Sequence, residues 1–84
     1  MQTTKTNMIV EAIRENGVLA SLREVRAMVS GICRGSEFDA EILKLSRAGI
    51  IALHHHDYPQ GLRAEQRAEL VTDGRQYFCG AALR

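Results

Sequence analysis

The chain has little of the chemistry by which sequences most often reveal a function. Its 84 residues include one proline, no tryptophan, two phenylalanines, two tyrosines and two cysteines. Two cysteines allow at most one disulfide, and we interpret them as free thiols in a reducing cytoplasm. No apolar run is long enough to span a bilayer or to form the core of a signal peptide. The sequence therefore predicts neither secretion nor membrane insertion.

An excess of charge of either sign is also lacking. Eleven Lys and Arg residues against ten Asp and Glu residues leave a formal net charge of +1. No overall field would therefore draw the chain to nucleic acid or to a membrane surface, and such binding would need a local patch. The 45% hydrophobic and 25% charged composition is typical of a globular chain, and its length suits one small domain.

Complete catalytic and metal-binding motifs are missing as well. The sequence has no glycine-rich phosphate loop, no G-x-S-x-G and no H-E-x-x-H. The histidine run 54–56 with Cys79 suggests a zinc site. Zinc needs four ligands, or three with a water, and no paired Cys/His spacing supplies the rest, so we interpret the histidines as polar residues of a strand. Cys33 and Cys79 are interpreted as small core residues, because a reactive thiol needs an accessible, electropositive setting with a base. We expect no enzymatic activity, no metal and no cofactor.

The clearest structural pattern lies between Ser36 and Gly49. Ser36 is expected to cap a helix whose positive end also carries acidic residues, and Gly49 is expected to end it. Apolar side chains recur at the helical spacing i, i+4 and i+7, at Phe38, Ile42 and Leu45. Residues 50–57 then read as a strand that follows without a linker.

Two shorter helices are predicted before this one. The first is capped by Thr4 or Thr6 and ends at Gly17. Residues 18–20 are expected to form an edge strand or an extended link. Ser21 and Glu24 have the reciprocal spacing of a capping box, which predicts a second helix over about residues 22–29. In the turn that follows, Ile32 and Cys33 are expected to form an apolar plug.

The C-terminal third is predicted to be a hairpin with a long excursion. Residues 58–61 form a turn, and residues 63–71 form a short helix with Ala64, Ala68 and Val71 on its apolar face. A closing strand over residues 76–83 is expected to pair antiparallel with strand 50–57, and Gly80 weakens it or marks a bulge. The predicted fold class is α+β, with a core formed by Ile13, Leu22, Val25, Phe38, Ile42, Leu45 and Leu53.

This order of elements resembles the winged-helix branch of the helix-turn-helix DNA-binding proteins. SLREVRAMV corresponds to the second helix, SEFDAEILKLSRAG to the third, and IIALHHHD and QYFCGAALR to two strands of a two- or three-stranded β-wing. The resemblance covers about residues 4–84 and implies that residues 1–84 are a single winged-helix domain. It also implies a small transcriptional regulator that binds double-stranded DNA with helix 36–49 in the major groove. We expect it to act as a homodimer, because one 84-residue module presents little groove-reading surface.

The resemblance nominates a set of DNA-binding residues. Those near the third helix would read base edges or hold phosphates, and those in the wing would contact the DNA backbone. The nominated residues are Arg34, Ser36, Lys44, Arg47, Arg63, Arg67 and Arg75. Arg23 and Arg26 are expected to converge on the same surface.

Three carboxylates depart from this pattern. Glu37, Asp39 and Glu41 crowd the helix end that would approach the duplex, where phosphate would repel them. The alternative is therefore a winged-helix protein–protein interaction module within a larger assembly, in which this acidic helix start or the excursion at residues 62–71 binds a protein partner.

Overall fold

Helices and strands follow one another in the predicted order, except that a short strand at residues 71–72 was not predicted. The structure is a computed structural model that describes residues 4–84, and the proposed cap by the Thr4 side chain lies outside the side chains described. The elements are α1 Thr4–Asn16, β1 Ala20–Ser21, α2 Leu22–Met28, α3 Ser36–Arg47, β2 Ile51–His55, a 3₁₀ turn Pro59–Gly61, α4 Ala64–Ala68, β3 Val71–Thr72 and β4 Tyr77–Leu83. None of the helices within residues 4–84 has the length and apolarity needed to cross a bilayer.

Strand β4 is the centre of a four-stranded antiparallel sheet. Its pairing with β2 runs from Ile51 opposite Leu83 to His55 opposite Phe78. Strands β1 and β3 also pair with β4, at residues 80–81 and 77–78. Because Gly80 pairs with both β1 and β2, these two strands must lie on opposite edges of β4. The expected antiparallel pairing of the two long strands is confirmed, and the predicted α+β class is observed.

The predicted irregularity in β4 is present beside Gly80. His54 pairs with Gly80 but His55 pairs with Phe78, so Cys79 is the extra residue of a β-bulge. A Cβ on Gly80 would lie 3.2 Å from the Leu19 Cδ1 atom. Glycine at this position therefore leaves room for the Leu19 side chain beside β4.

Helix α3 starts one residue earlier than expected and stops where expected. The prediction that Ser36 caps it is wrong, because Gly35 holds the cap position with φ 60° and Ser36 is the first helical residue. At the other end Gly49 has φ 78°. The Ile50 N–H donates to the Leu45 carbonyl at 3.0 Å, which is the long bond of a Schellman motif.

The junction of α1 and α2 is held by a side chain that the capping-box prediction missed. The Ser21 hydroxyl accepts the Glu24 N–H at 3.5 Å, as predicted. The reciprocal half is wrong, because the Ser21 N–H donates to the Asn16 Oδ1 atom at 2.8 Å and the Glu24 carboxylate accepts from the Asn16 Nδ2 atom at 3.0 Å. Thr6 does not cap α1 either, since it lies inside the helix with 4% of its surface exposed.

The core contains every predicted member except Leu53, which is half-buried against it. Cys33 is fully buried, but Ile32 is 36% exposed, so only half of the predicted plug forms. The buried set is Ile9, Ala12, Ile13, Ala20, Leu22, Val25, Val29, Cys33, Phe38, Ile42, Leu45, Ile51, Val71 and Ala81.

The helix of the excursion is shorter than predicted and has no buried face. It ends at Ala68, and both Ala64 and Ala68 are exposed. Val71 is fully buried, but it belongs to strand β3, which the helical spacing did not predict. The residues with helical spacing therefore belong to two elements, Ala64 and Ala68 to α4 and Val71 to β3. The predicted helix 63–71 is wrong in its second half.

Arg26 joins α2, the start of α3 and the end of the excursion. Its Nη2 atom lies 2.7 Å from the Asp39 Oδ1 atom, and its guanidinium carbon lies 4.7 Å from the centre of the Phe38 ring. The guanidinium also donates at 3.2–3.4 Å to three backbone carbonyls, those of Gly35, Glu69 and Leu70. A planar guanidinium can donate hydrogen bonds in all these directions at the same time, whereas an ammonium group cannot.

We predict that Arg26→Lys lowers the free energy of unfolding by about 1–3 kcal/mol, because backbone carbonyls lose a charged donor in a partly buried site. The matched control is Arg23→Lys on the same helix, where an exposed side chain lies 3.6 Å from Glu69. That change should stay within about 0.5 kcal/mol. Urea denaturation measures both, and equal losses would contradict the assigned role of Arg26.

Candidate nucleic-acid interface

The outer face of α3 carries small and basic side chains. Ser36, Ala40, Lys44 and Arg47 are exposed, whereas Phe38 and its helical neighbours are buried on the opposite side. At about 100° per residue, Ser36, Ala40 and Arg47 fall within about 40° of one another around the helix axis. The apolar periodicity therefore directs Ser36, Ala40 and Arg47 toward solvent as one stripe, and Lys44 lies at the edge of this stripe.

The three acidic residues of α3 are engaged by the helices behind it. The Lys5 Nζ atom lies 2.7 Å from a Glu37 carboxylate oxygen. Asp39 accepts from Arg26, as described above, and the Thr6 hydroxyl donates to the Glu41 carboxylate at 3.0 Å. Two of the negative charges thus have cationic partners inside the fold. The carboxylates that argued against an anionic partner are directed to contacts with α1 and α2.

The pair of Lys5 and Glu37 has a clear electrostatic signature. The hydrogen bond from Lys5 holds the pKa of Glu37 below its ordinary value of 4.5, and the same bond raises the pKa of Lys5. Because the folded pKa of Glu37 is depressed, the pair stabilises the fold above the unfolded pKa, and this stabilisation is lost as the pH falls through the lowered pKa. Both side chains are about half exposed, at 43% and 51%, so solvent screens the pair.

The nominated basic residues differ from the cations of α1 and α2 in one respect. Lys5, Arg14, Arg23 and Arg26 each pair with a carboxylate. No ion pair within residues 4–84 involves any nominated cation, namely Arg34, Lys44, Arg47, Arg63, Arg67 and Arg75. Their charges are available to an anionic partner except where other bonds hold the side chain.

Arg67 is such an exception. It is half-buried, and its Nη1 atom donates to the carbonyls of Leu62 at 3.0 Å and Pro59 at 3.4 Å. These bonds fasten the 3₁₀ turn to α4. Arg67 therefore helps to shape the excursion, and the residue type alone gave no signal for this role.

The tip between β3 and β4 is an ordered turn that presents Arg75. The Asp73 Oδ1 atom accepts the backbone N–H groups of Arg75 and Gln76, each at 2.9 Å. These bonds hold the pKa of Asp73 below its ordinary value. The Thr72 hydroxyl donates to the Gln76 carbonyl at 2.8 Å and accepts the Gly74 N–H at 3.0 Å. Arg75 thus projects from a fixed backbone.

The cysteines and histidines form no reactive cluster in the described part of the chain. Cys33 is fully buried, and burial raises the pKa of its thiol, whereas a nucleophilic thiol needs the opposite shift. The Cys79 Sγ atom lies 3.7 Å from the backbone carbonyl of His54, and both thiols are free. The His56 Nδ1 atom accepts the Tyr58 N–H at 3.1 Å. No three His, Cys, Asp or Glu side chains among residues 4–84 are placed to hold a metal ion.

The chain was compared with protein-family models, with curated protein sequences and with solved structures, and none of the three gave a match. The outer face of α3 and the tip of the β3–β4 turn present Lys44, Arg47 and Arg75 to solvent.

We predict that Lys5→Met raises the pKa of Glu37 toward its ordinary value, because the carboxylate loses its closest cation. Lys44→Met is the matched control, since it removes a lysine of α3 that is not paired with Glu37. Titration of the side-chain carboxyl carbons by NMR measures both. An unchanged Glu37 pKa in Lys5→Met would show that the pair is absent in solution.

Proposed function

We propose that the chain is a winged-helix DNA-binding domain and a small transcriptional regulator that reads duplex DNA with α3. The observation that carries the proposal is the division of its cations. Those of α1 and α2 are paired with carboxylates, whereas Lys44 and Arg47 on the outer face of α3 have no ion-pair partner in the described chain. The order of helices and strands is the one that the resemblance to winged-helix proteins implies.

The chemistry of the α3 face suits the major groove. Ser36 and Ala40 are small, so the helix can approach base edges closely on that side. Arg47 can form paired hydrogen bonds with the O6 and N7 atoms of guanine, and Lys44 can donate to the same acceptors or to phosphate. Ser36 can donate to or accept from either kind of base pair.

The remaining nominated residues suit the DNA backbone. Arg34 precedes α3, Arg63 lies on the excursion and Arg75 lies at the tip of the β3–β4 turn, and all three are exposed. Such side chains fix the position of a protein on the duplex without reading sequence. Arg67 supports this surface by holding the 3₁₀ turn in place.

DNA is favoured over a protein partner because the acidic side chains at the start of α3 are bonded within the fold. An interaction module that used the acidic start of α3 would need Glu37 and Asp39 free for its partner. Both are bonded within the fold, to Lys5 and Arg26. Their negative charge is therefore reduced at the surface where a duplex would bind.

We predict that selection from a random duplex pool enriches one motif, and that Arg47→Ala or Lys44→Ala relaxes the preference at the bases contacted, by about 1–3 kcal/mol per lost bidentate contact. Arg75→Ala should weaken all duplexes similarly and reduce the slope of log affinity against log salt by about one. Affinity measured at several salt concentrations distinguishes the two effects.

Arg14→Ala is the control for that experiment, because Arg14 is bonded to Glu11 on α1. It removes the same charge but should leave affinity and sequence preference unchanged. If no motif is enriched at low salt and none of these variants changes duplex binding, DNA binding is excluded while the fold stands.

A further inference from the structure

The largest apolar side chains left exposed on the helices lie beside one groove between α1 and α2. Met8 is 44% exposed and Met28 is 48% exposed, while Ala12 and Val29 beneath them are buried. Asn7, Glu11 and Glu15 line the same groove. Methionines are flexible and adapt to the surface of a partner, so this groove has the composition of a contact surface.

The charges on the rim restrict what can occupy the groove. Glu11 is bonded to Arg14 of its own helix. Glu15 is exposed and has no ion pair within residues 4–84. An occupant should therefore bring a small apolar surface for the methionine and a cation for Glu15.

Helix α1 itself carries these groups at the required spacing. Lys5, Met8, Ala12 and Glu15 follow one another at intervals of three, four and three residues, which is the a–d–a–d spacing of a helix-pairing seam. When two such helices run antiparallel, each a position faces a d position of the other. A two-fold axis level with residue 10 then places Met8 opposite the partner's Ala12 and Lys5 opposite the partner's Glu15.

We propose that a second copy of the chain occupies this groove, through an antiparallel, two-fold symmetric contact of α1 with the partner's α1. A large side chain meets a small one, and the carboxylate without an ion-pair partner meets a lysine. An isologous contact forms each of these pairs twice. Lys5 has three donors, so it keeps its bond to Glu37 while it reaches the partner's Glu15.

This contact is independent of the proposed DNA-binding function. It uses α1 and the groove beside α2, whereas the DNA contacts were assigned to Arg34, α3, the excursion and the β3–β4 turn. A test without DNA therefore separates failure of the dimer from failure of the DNA-binding proposal.

The test is sedimentation equilibrium of the full chain from about 10 μM to about 1 mM, a range that covers weak specific association. We expect a reversible monomer–dimer equilibrium. Glu15→Lys places two lysines opposite each other and should raise the dissociation constant by about tenfold or more. The matched control is Glu65→Lys, which makes the same charge change at an exposed site of α4 and should change the constant less than about twofold.

A second measurement locates the contact. In a mixture of isotope-labelled and unlabelled protein, filtered NOE spectra should connect the Met8 methyl of one copy with the Ala12 methyl of the other. A chain that stays monomeric to about 1 mM overturns the proposal. A dimer that is equally sensitive to Glu15→Lys and Glu65→Lys, or that lacks NOEs between α1 helices, overturns it as well.

Discussion

The position of α3 depends on one guanidinium. Arg26 lies over the Phe38 ring and pairs with Asp39. It also donates to the backbone carbonyls of Gly35 and Leu70. A charge that is only 19% exposed needs such partners, because its burial would otherwise cost several kcal/mol. The same bonds satisfy the Gly35 carbonyl at the start of α3 and the Leu70 carbonyl before β3. Three segments distant in sequence are thereby held around one side chain, which joins the start of α3 to α2.

The parts of the fold that sequence predicted well depend on neighbours in the chain. The spacing of Phe38, Ile42 and Leu45 selects the buried side of α3 whatever packs against it. Gly49 ends the helix because its positive φ is a local requirement. Ser21 accepts the N–H three residues ahead of it, again within one turn. In each case the partner lies within a few residues, so a single sequence contains the necessary information.

Much of what the sequence did not reveal is decided by tertiary packing, whereas the wrong Ser36 cap was a local misassignment. Ala64 and Ala68 have the spacing of a buried face, but nothing covers them, and Val71 is buried from a strand instead. Arg26 and Arg67 look like surface cations in the sequence, yet their donors are used by carbonyls far away or across a turn. For the candidate site, the resemblance nominated cations that have no ion pair within residues 4–84, but the sequence could not reveal which carboxylates the fold pairs with cations. The assignment of bases to side chains stays a prediction.

The Schellman turn at Gly49 limits how far the protein can change its shape to fit a bound partner. Helix α3 and strand β2 are separated by three residues, and the Ile50 N–H bonds back to the helix while its carbonyl accepts the Arg84 N–H beyond β4. Backbone hydrogen bonds therefore tie the end of the helix to the sheet, which restricts changes in the span from the α3 stripe to the sheet. A duplex bound as proposed must adjust its own groove width to this span. Deformability of the DNA at positions that no side chain touches would then contribute to the choice of site.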